Sequence, residues 1–228
     1  MLPKTCIWCN IYNMIVFQEV VMKNRIICIN RKYGSAGSEI GRLAAEKLGI
    51  RFYDRDLLKK AIEYGDLDKS KALEKFIESE ETAPNRFTYR LYDTGNEHTQ
   101  KQSPAADIIF DLEKQLIEKA AEESDCIIIG RCAGDILEKA GYDTVNVFIT
   151  ASEDYRAEYI DCNSDTDITR KTAEKQIEAV DRHRAEFFRN YTGKVWDSAE
   201  SYDIVINSES LGVDGAVEIL CGIYSHMI

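Results

Sequence analysis

The sequence predicts an α/β fold built on a parallel, doubly wound sheet, and three observations carry that expectation. Five short apolar runs, at 25–30, 51–53, 126–129, 145–149 and 203–206, read as strands buried on both faces. Helical patterns fill the intervals, and strands that alternate with helices form parallel sheets. A loop of small residues, Gly34-Ser35-Ala36-Gly37, joins the first apolar run directly to the first helix. Right-handed crossovers place that loop at the carboxyl edge of the sheet, where ligands bind in such folds.

The elements follow in order. Ile40, Leu43, Ala44 and Leu48 share one face of the first helix, which stops at Gly49. Leu57, Leu58 and Ile62 mark a second. Residues 65–103 break the alternation: 67–81 is a charged helical stretch, and 82–104 is polar and holds Pro84, Gly95 and Pro104. This stretch is expected to be an inserted segment that covers the substrate at the same edge, since loops of such length serve function or are disordered. Helices are expected over 106–121, around Ile136 and Leu137, over 152–160 with Ser152 as N-cap, over 169–188 and over 213–224.

Composition narrows the function. The 228 residues suit one domain, 22–228, with an insertion at 65–104 and a lid region at 161–195. The formal net charge of -11 argues against a general nucleic-acid binder, which needs accumulated Lys and Arg. A mononucleotide needs only local basic groups. Seven cysteines, several in apolar runs, fit a reducing, cytoplasmic compartment. Residues 1–21 lack a basic leader and a small-residue cleavage site, and their apolar run is too short to span a bilayer. They are expected to be a dispensable extension. Cys6 and Cys9 have no second Cys/His pair at zinc-site spacing.

Four segments carry chemistry. In the first, the amides of Tyr33, Gly34, Ser35, Ala36, Gly37 and Ser38 can turn around an anion, helped by the helix that opens near Ser38. The loop departs from the pattern G-x-x-x-x-G-K-[ST]. With Gly37 at the last glycine, Ser38 replaces the lysine and Lys32 the first glycine, leaving Arg31, Lys32 or Arg42 to supply charge. A tight turn without ligand is the competing interpretation. In the second, Gly130 ends a strand and leaves room for a ligand, and Arg131 emerges beside it, either as an anion ligand or as a surface ion-pair partner. The third, 181–194, brings basic residues that include Arg184 and Arg189 into an otherwise acidic chain, as phosphoryl transfer demands. A solvated charged face is the alternative there, and it is preferred for Arg170. In the fourth, Asp54 and Arg55 end the second strand and face the cleft, or Asp54 caps the next helix.

With these segments in order, residues 25–220 resemble the cytidylate kinase-like family, a branch of the P-loop nucleoside monophosphate kinases. The motifs that carry the resemblance are Arg31-Lys-Tyr-Gly-Ser-Ala-Gly-Ser-Glu-Ile-Gly41, Phe52-Tyr-Asp-Arg55, Gly130-Arg131-Cys132-Ala133, Tyr191-Thr-Gly-Lys194 with Trp196, and 202–207 followed by Ser210-Leu-Gly212. The resemblance implies a P-loop-type five-stranded parallel sheet, a monophosphate-binding insertion and an Arg-bearing lid. ATP phosphates would lie on residues 31–38, with Mg²⁺ at Ser38. Asp54, Arg55, Arg131 and Asp181 would meet the acceptor, and Arg131, Arg184 and Arg189 would act in catalysis. Three departures stand out: Cys132 and Ile129 replace acidic residues, Arg55-Asp56 replaces Ser-Gly, and the loop lysine is missing. The expected function is transfer of the ATP γ-phosphoryl group to CMP or another small acceptor, with no nucleic acid or membrane as partner and homo-oligomerisation left open. The alternative is an inactive nucleotide-binding module. A dinucleotide oxidoreductase is disfavoured, because Gly34-x-x-Gly37-x-x-x-Gly41 is not G-x-G-x-x-G.

Overall fold

The computed structural model describes residues 24–54, 104–164 and 168–227. The order is β1 (Ile26–Arg31), α1 (Gly37–Leu48), β2 (Arg51–Tyr53), α2 (Pro104–Glu123), β3 (Cys126–Ile129), α3 (Ala133–Lys139), β4 (Thr144–Thr150), α4 (Glu153–Cys162), α5 (Arg170–Thr192), β5 (Ile204–Asn207) and α6 (Ser208–His226), with a 3₁₀ turn at Ala199–Ser201. The five strands lie in the order β2-β3-β1-β4-β5 and every pairing is parallel. The expected extension 1–21, Arg55, the helix expected around 57–62 and the insertion expected at 65–103 lie outside the described residues.

Side chains alternate across the sheet because the pleat has period two. Ile27, Ile29, Ile127, Ile129, Val147 and Ile149 face α1 and α6, where Ile40, Ala44, Ala216 and Leu220 close the core. Ile26, Cys28, Cys126, Ile128 and Phe148 face the other way, onto Ile117 of α2, Leu137 of α3 and Phe188 of α5. β1 and β3 are therefore apolar on both faces, as their sequences require. The same expectation fails for β2 and β5, which have a neighbour on one side only. All of β2 is partly or fully exposed, and Val205 of β5 is among the exposed large apolar residues.

The helix ends follow local chemistry. The Ser152 hydroxyl accepts from the Tyr155 amide, which makes it the N-cap of α4. Gly49 closes α1 in the left-handed conformation. α6 begins five residues before the expected 213, since the Asn207 side chain caps Glu209 and Ser210, and Gly212 (φ 68°, ψ 170°) kinks it.

The start of β1, the entry to β3 and the end of α6 meet at Asp125. Its carboxylate accepts from the Arg25 amide at 2.8 Å, the Arg25 Nε at 3.1 Å and the Tyr224 hydroxyl at 2.5 Å. Burial opposes its charge, but the Tyr224 hydroxyl and the Arg25 amide and guanidinium outweigh that and hold the carboxyl below its ordinary range. A folded pKa below the unfolded one contributes stability that is complete above the unfolded value, about 3.9. That stability is lost as pH falls through the lower folded value. Asp125→Asn is thus expected to flatten the acid limb of a stability-against-pH curve, with urea midpoints as the measurement.

Candidate functional site

Between β1 and β3 the connections part to opposite faces: α1 packs on one side of the sheet and α3 on the other. Such a divergence opens a crevice at the carboxyl ends of the strands. The loop after β1 fills it. The Lys32 amide still pairs with the Ile149 carbonyl at 2.9 Å, which extends the strand ladder by one residue. The Ser35 hydroxyl then ties the turn to the carbonyls of Lys32 and Ile149. Ser208, fully buried, donates to the Ser35 carbonyl at 2.9 Å and so anchors the loop to α6. Gly34 (φ 78°) turns so close to α4 that a Cβ would stand 2.7 Å from the Arg156 carbonyl.

Ala36 (φ 56°) is the N-cap of α1 and uses no side-chain hydrogen bond. The first intrahelical bond runs from the Ile40 amide to the Ala36 carbonyl at 2.9 Å. Gly37, Ser38 and Glu39 are left as the orphan amides of a helix start. Together with Gly34 and Ala36 they have no amide partner among the described residues. Residues 31–39, Asp54, Tyr159 and Arg184 enclose a cavity of about 250 Å³. A nest of inward amides at a helix N-terminus is an anion site.

Charge surrounds this nest. Arg31 lies 3.6 Å from Asp54, and Lys32 is 4.0 Å from Asp197. Arg184 donates to the Arg31 carbonyl at 2.8 Å and sits 5.7 Å above the Tyr33 ring. The Tyr159 hydroxyl donates to Glu39 at 2.6 Å. Burial, and then this carboxylate, raise the Tyr159 pKa well above the usual phenol range, so the hydroxyl stays a donor.

Several expected residues take other positions. Asp181, expected at the acceptor, lies beneath the loop: its two oxygens accept from the Tyr33 amide at 2.8 Å and the Arg156 guanidinium at 2.6 Å. Arg156 also donates to the Tyr33 carbonyl, so both main-chain groups of Tyr33 are held. Gly130 leaves room, but Arg31 takes it: a Cβ there would stand 2.7 Å from the Arg31 Nη1. Arg131 reaches the sheet edge, yet it pairs at 2.7 Å with buried Glu113 and does not line the cavity. Arg189 is exposed on α5, also outside the cavity wall. Arg42 pairs with Glu46 on the exposed side of α1, Arg170 with Asp154 and Glu174, and Lys194 with Asp135 and Glu138. Burial pushes the Cys132 thiol well above its usual range, so it fills its position as an apolar group.

The left-handed conformation that glycine serves best falls at Ala36, just before α1. If the last glycine of G-x-x-x-x-G-K-[ST] is placed at that turn instead of at Gly37, Arg31 takes the first glycine, Gly37 the lysine and Ser38 the hydroxyl position.

A nest of amides after the central strand of a parallel sheet defines a P-loop-type α/β protein. The sequence profile of the Cytidylate kinase-like family matches residues 26–210, and the chain belongs to that family. It is 26% identical over 195 residues to a cytidylate kinase of Archaeoglobus fulgidus, covering 85% of this chain and 91% of that one. It is 32% identical over 114 residues to a cytidylate kinase of Methanoculleus marisnigri, covering 50% of this chain and 59% of the relative. An uncharacterised protein from Eubacterium ventriosum has the same fold, with a TM-score of 0.64 at 21% identity over 89% of this chain and 99% of that one.

Arg156 and its carboxylate partner are both largely buried. Removing one partner of such a pair leaves a buried charge uncompensated, at a cost of about 3–5 kcal/mol. Asp181→Ala is expected to destabilise the protein by about that amount in urea unfolding, whereas Asp181→Asn, which keeps an acceptor oxygen, is expected to cost less.

Proposed function

We propose that the protein is a nucleotide-dependent phosphotransferase that moves the γ-phosphoryl group of ATP to CMP or another small acceptor. The single observation that supports this most is the amide nest of residues 34–39, set in a cavity that also holds Arg31, Lys32 and Arg184. Phosphoryl transfer is mainly positioning and charge neutralisation, because charge spreads over the migrating oxygens. An acceptor phosphate oxygen forms the new P–O bond, and the β–γ bridging oxygen leaves with its electron pair on ADP. Gly34, Ala36, Gly37 and Ser38 hold the donor phosphates, and Ser35, whose amide and hydroxyl turn back to the Lys32 carbonyl, shapes the loop they lie on. Asp54 faces the acceptor, with Arg131 behind it at the same sheet edge, and Arg55, outside the described residues, is assigned to the acceptor by its place in the sequence alone. α5 is the lid helix, and Arg184 is its contribution to the cavity; Arg189 reaches the site only if the lid moves.

No three His, Cys, Asp or Glu side chains cluster as a metal cage among the described residues. Mg²⁺ arrives with nucleotide phosphates and takes few protein ligands. Ser38, at the hydroxyl position of the loop, is the residue that would hold it, and the ion would supply charge neutralisation at the phosphates. The cysteines among the described residues are free thiols, as suits a reducing cytoplasm. No helix among the described residues is long and apolar enough to cross a membrane.

Glycine in the lysine position favours a second reading, a nucleotide-binding module without transfer. A coupled assay that follows ADP release with purified protein, MgATP and a panel of nucleoside monophosphates separates the two. Acceptor-dependent release, greatest with CMP, is the expected result. ATP binding by calorimetry with no release on any acceptor would favour the module.

A further inference from the structure

We propose that Arg31 does the work of the missing loop lysine, and that Gly37 is glycine because this arginine occupies its side-chain space. The proposal rests on the phosphate-binding reading above.

Position 37 does not need glycine for its backbone: it is the first residue of α1 and is not among the positive-φ positions. It needs glycine for space. A Cβ there would stand 2.5 Å from the Arg31 Cβ and 2.8 Å from its Cγ, both near the rigid end of β1. A lysine at 37 therefore cannot coexist with Arg31 in this loop. The arginine stem passes through that space, and its guanidinium continues over Gly130, where a Cβ would stand 2.7 Å from Nη1. The Arg31 Nη2 lies 3.6 Å from Asp54. Arg31, the amide nest and Asp54 thus line one cavity.

The chain has exchanged two positions of the usual motif. The glycine that normally opens the loop has become the cation, and the residue that is normally the cation has become glycine. A planar guanidinium can grip phosphate oxygens in pairs, which an ammonium cannot. Lys32 and Arg184 also line the cavity, but Lys32 is turned to Asp197 and Arg184 comes from α5. Arg31 alone is built into the strand that carries the loop.

Two measurements test this. The first needs no ligand. Gly37→Ala in a helix is ordinarily neutral or stabilising. Here it is expected to lower the urea midpoint in the native chain, and to be tolerated once Arg31→Gly has cleared the space. Equal effects in both backgrounds would overturn the steric exchange. The second is calorimetric binding of MgATP and of inorganic pyrophosphate. Arg31→Ala is expected to weaken both by about tenfold or more. Gly37→Lys alone is expected to bind poorly, and Gly37→Lys with Arg31→Gly to recover most of the affinity. Undiminished binding by Arg31→Ala would overturn the inference and leave the proposed function standing. No binding by the unmodified protein would overturn both.

Discussion

The carboxylate of Asp181 carries the site. One oxygen takes the Tyr33 amide and the other the Arg156 guanidinium, whose own hydrogen bond returns to the Tyr33 carbonyl. Three elements that share no sequence neighbourhood, the loop after β1, α4 and α5, are thereby fixed to one another. A buried pair of this kind costs desolvation, and it pays only when its hydrogen bonds are complete. Here they are arranged around one peptide, so the charge that holds α5 also sets the loop from which the amides point.

That fixation matters because the amide nest has little else to rely on. Its N-cap is an alanine that offers no side-chain oxygen, and its lysine is absent. What remains is main-chain geometry, an arginine from the strand end, and Arg184 from above. For the proposed phosphate binding, such a site would rely on preorganised dipoles more than on mobile charge, and preorganised dipoles need no reorientation.

The fold was legible because the signals for it are local. Apolar runs fixed five strands to within a residue or two, and Ser152 and Gly49 marked helix ends by their own chemistry. The candidate loop was legible as a run of small residues between a strand and a helix. Its register was not, because only the torsion at Ala36 shows which residue makes the final turn. Arg156, Glu39, Tyr159 and Ser208 escaped notice, since their partners lie far away in the chain. One signal for Arg156 was present: it adjoins Ala157 and precedes Ile160 by four positions, a charged residue on an apolar stripe. Arg131 and Asp181 were recognised as important by position, but sequence gives no means of seeing a guanidinium already satisfied by Glu113, or a carboxylate turned inward.

Gly130, Arg131 and Cys132 have φ of 70°, 57° and 57°, three successive left-handed residues of which two bear side chains. The reversal of hand sends α3 to the opposite face from α1, and so parts the crevice. The parting of the two connections thus rests on main-chain torsions as well as on side chains. A β-branched residue at 131 or 132, which tolerates positive φ poorly, would strain that turn.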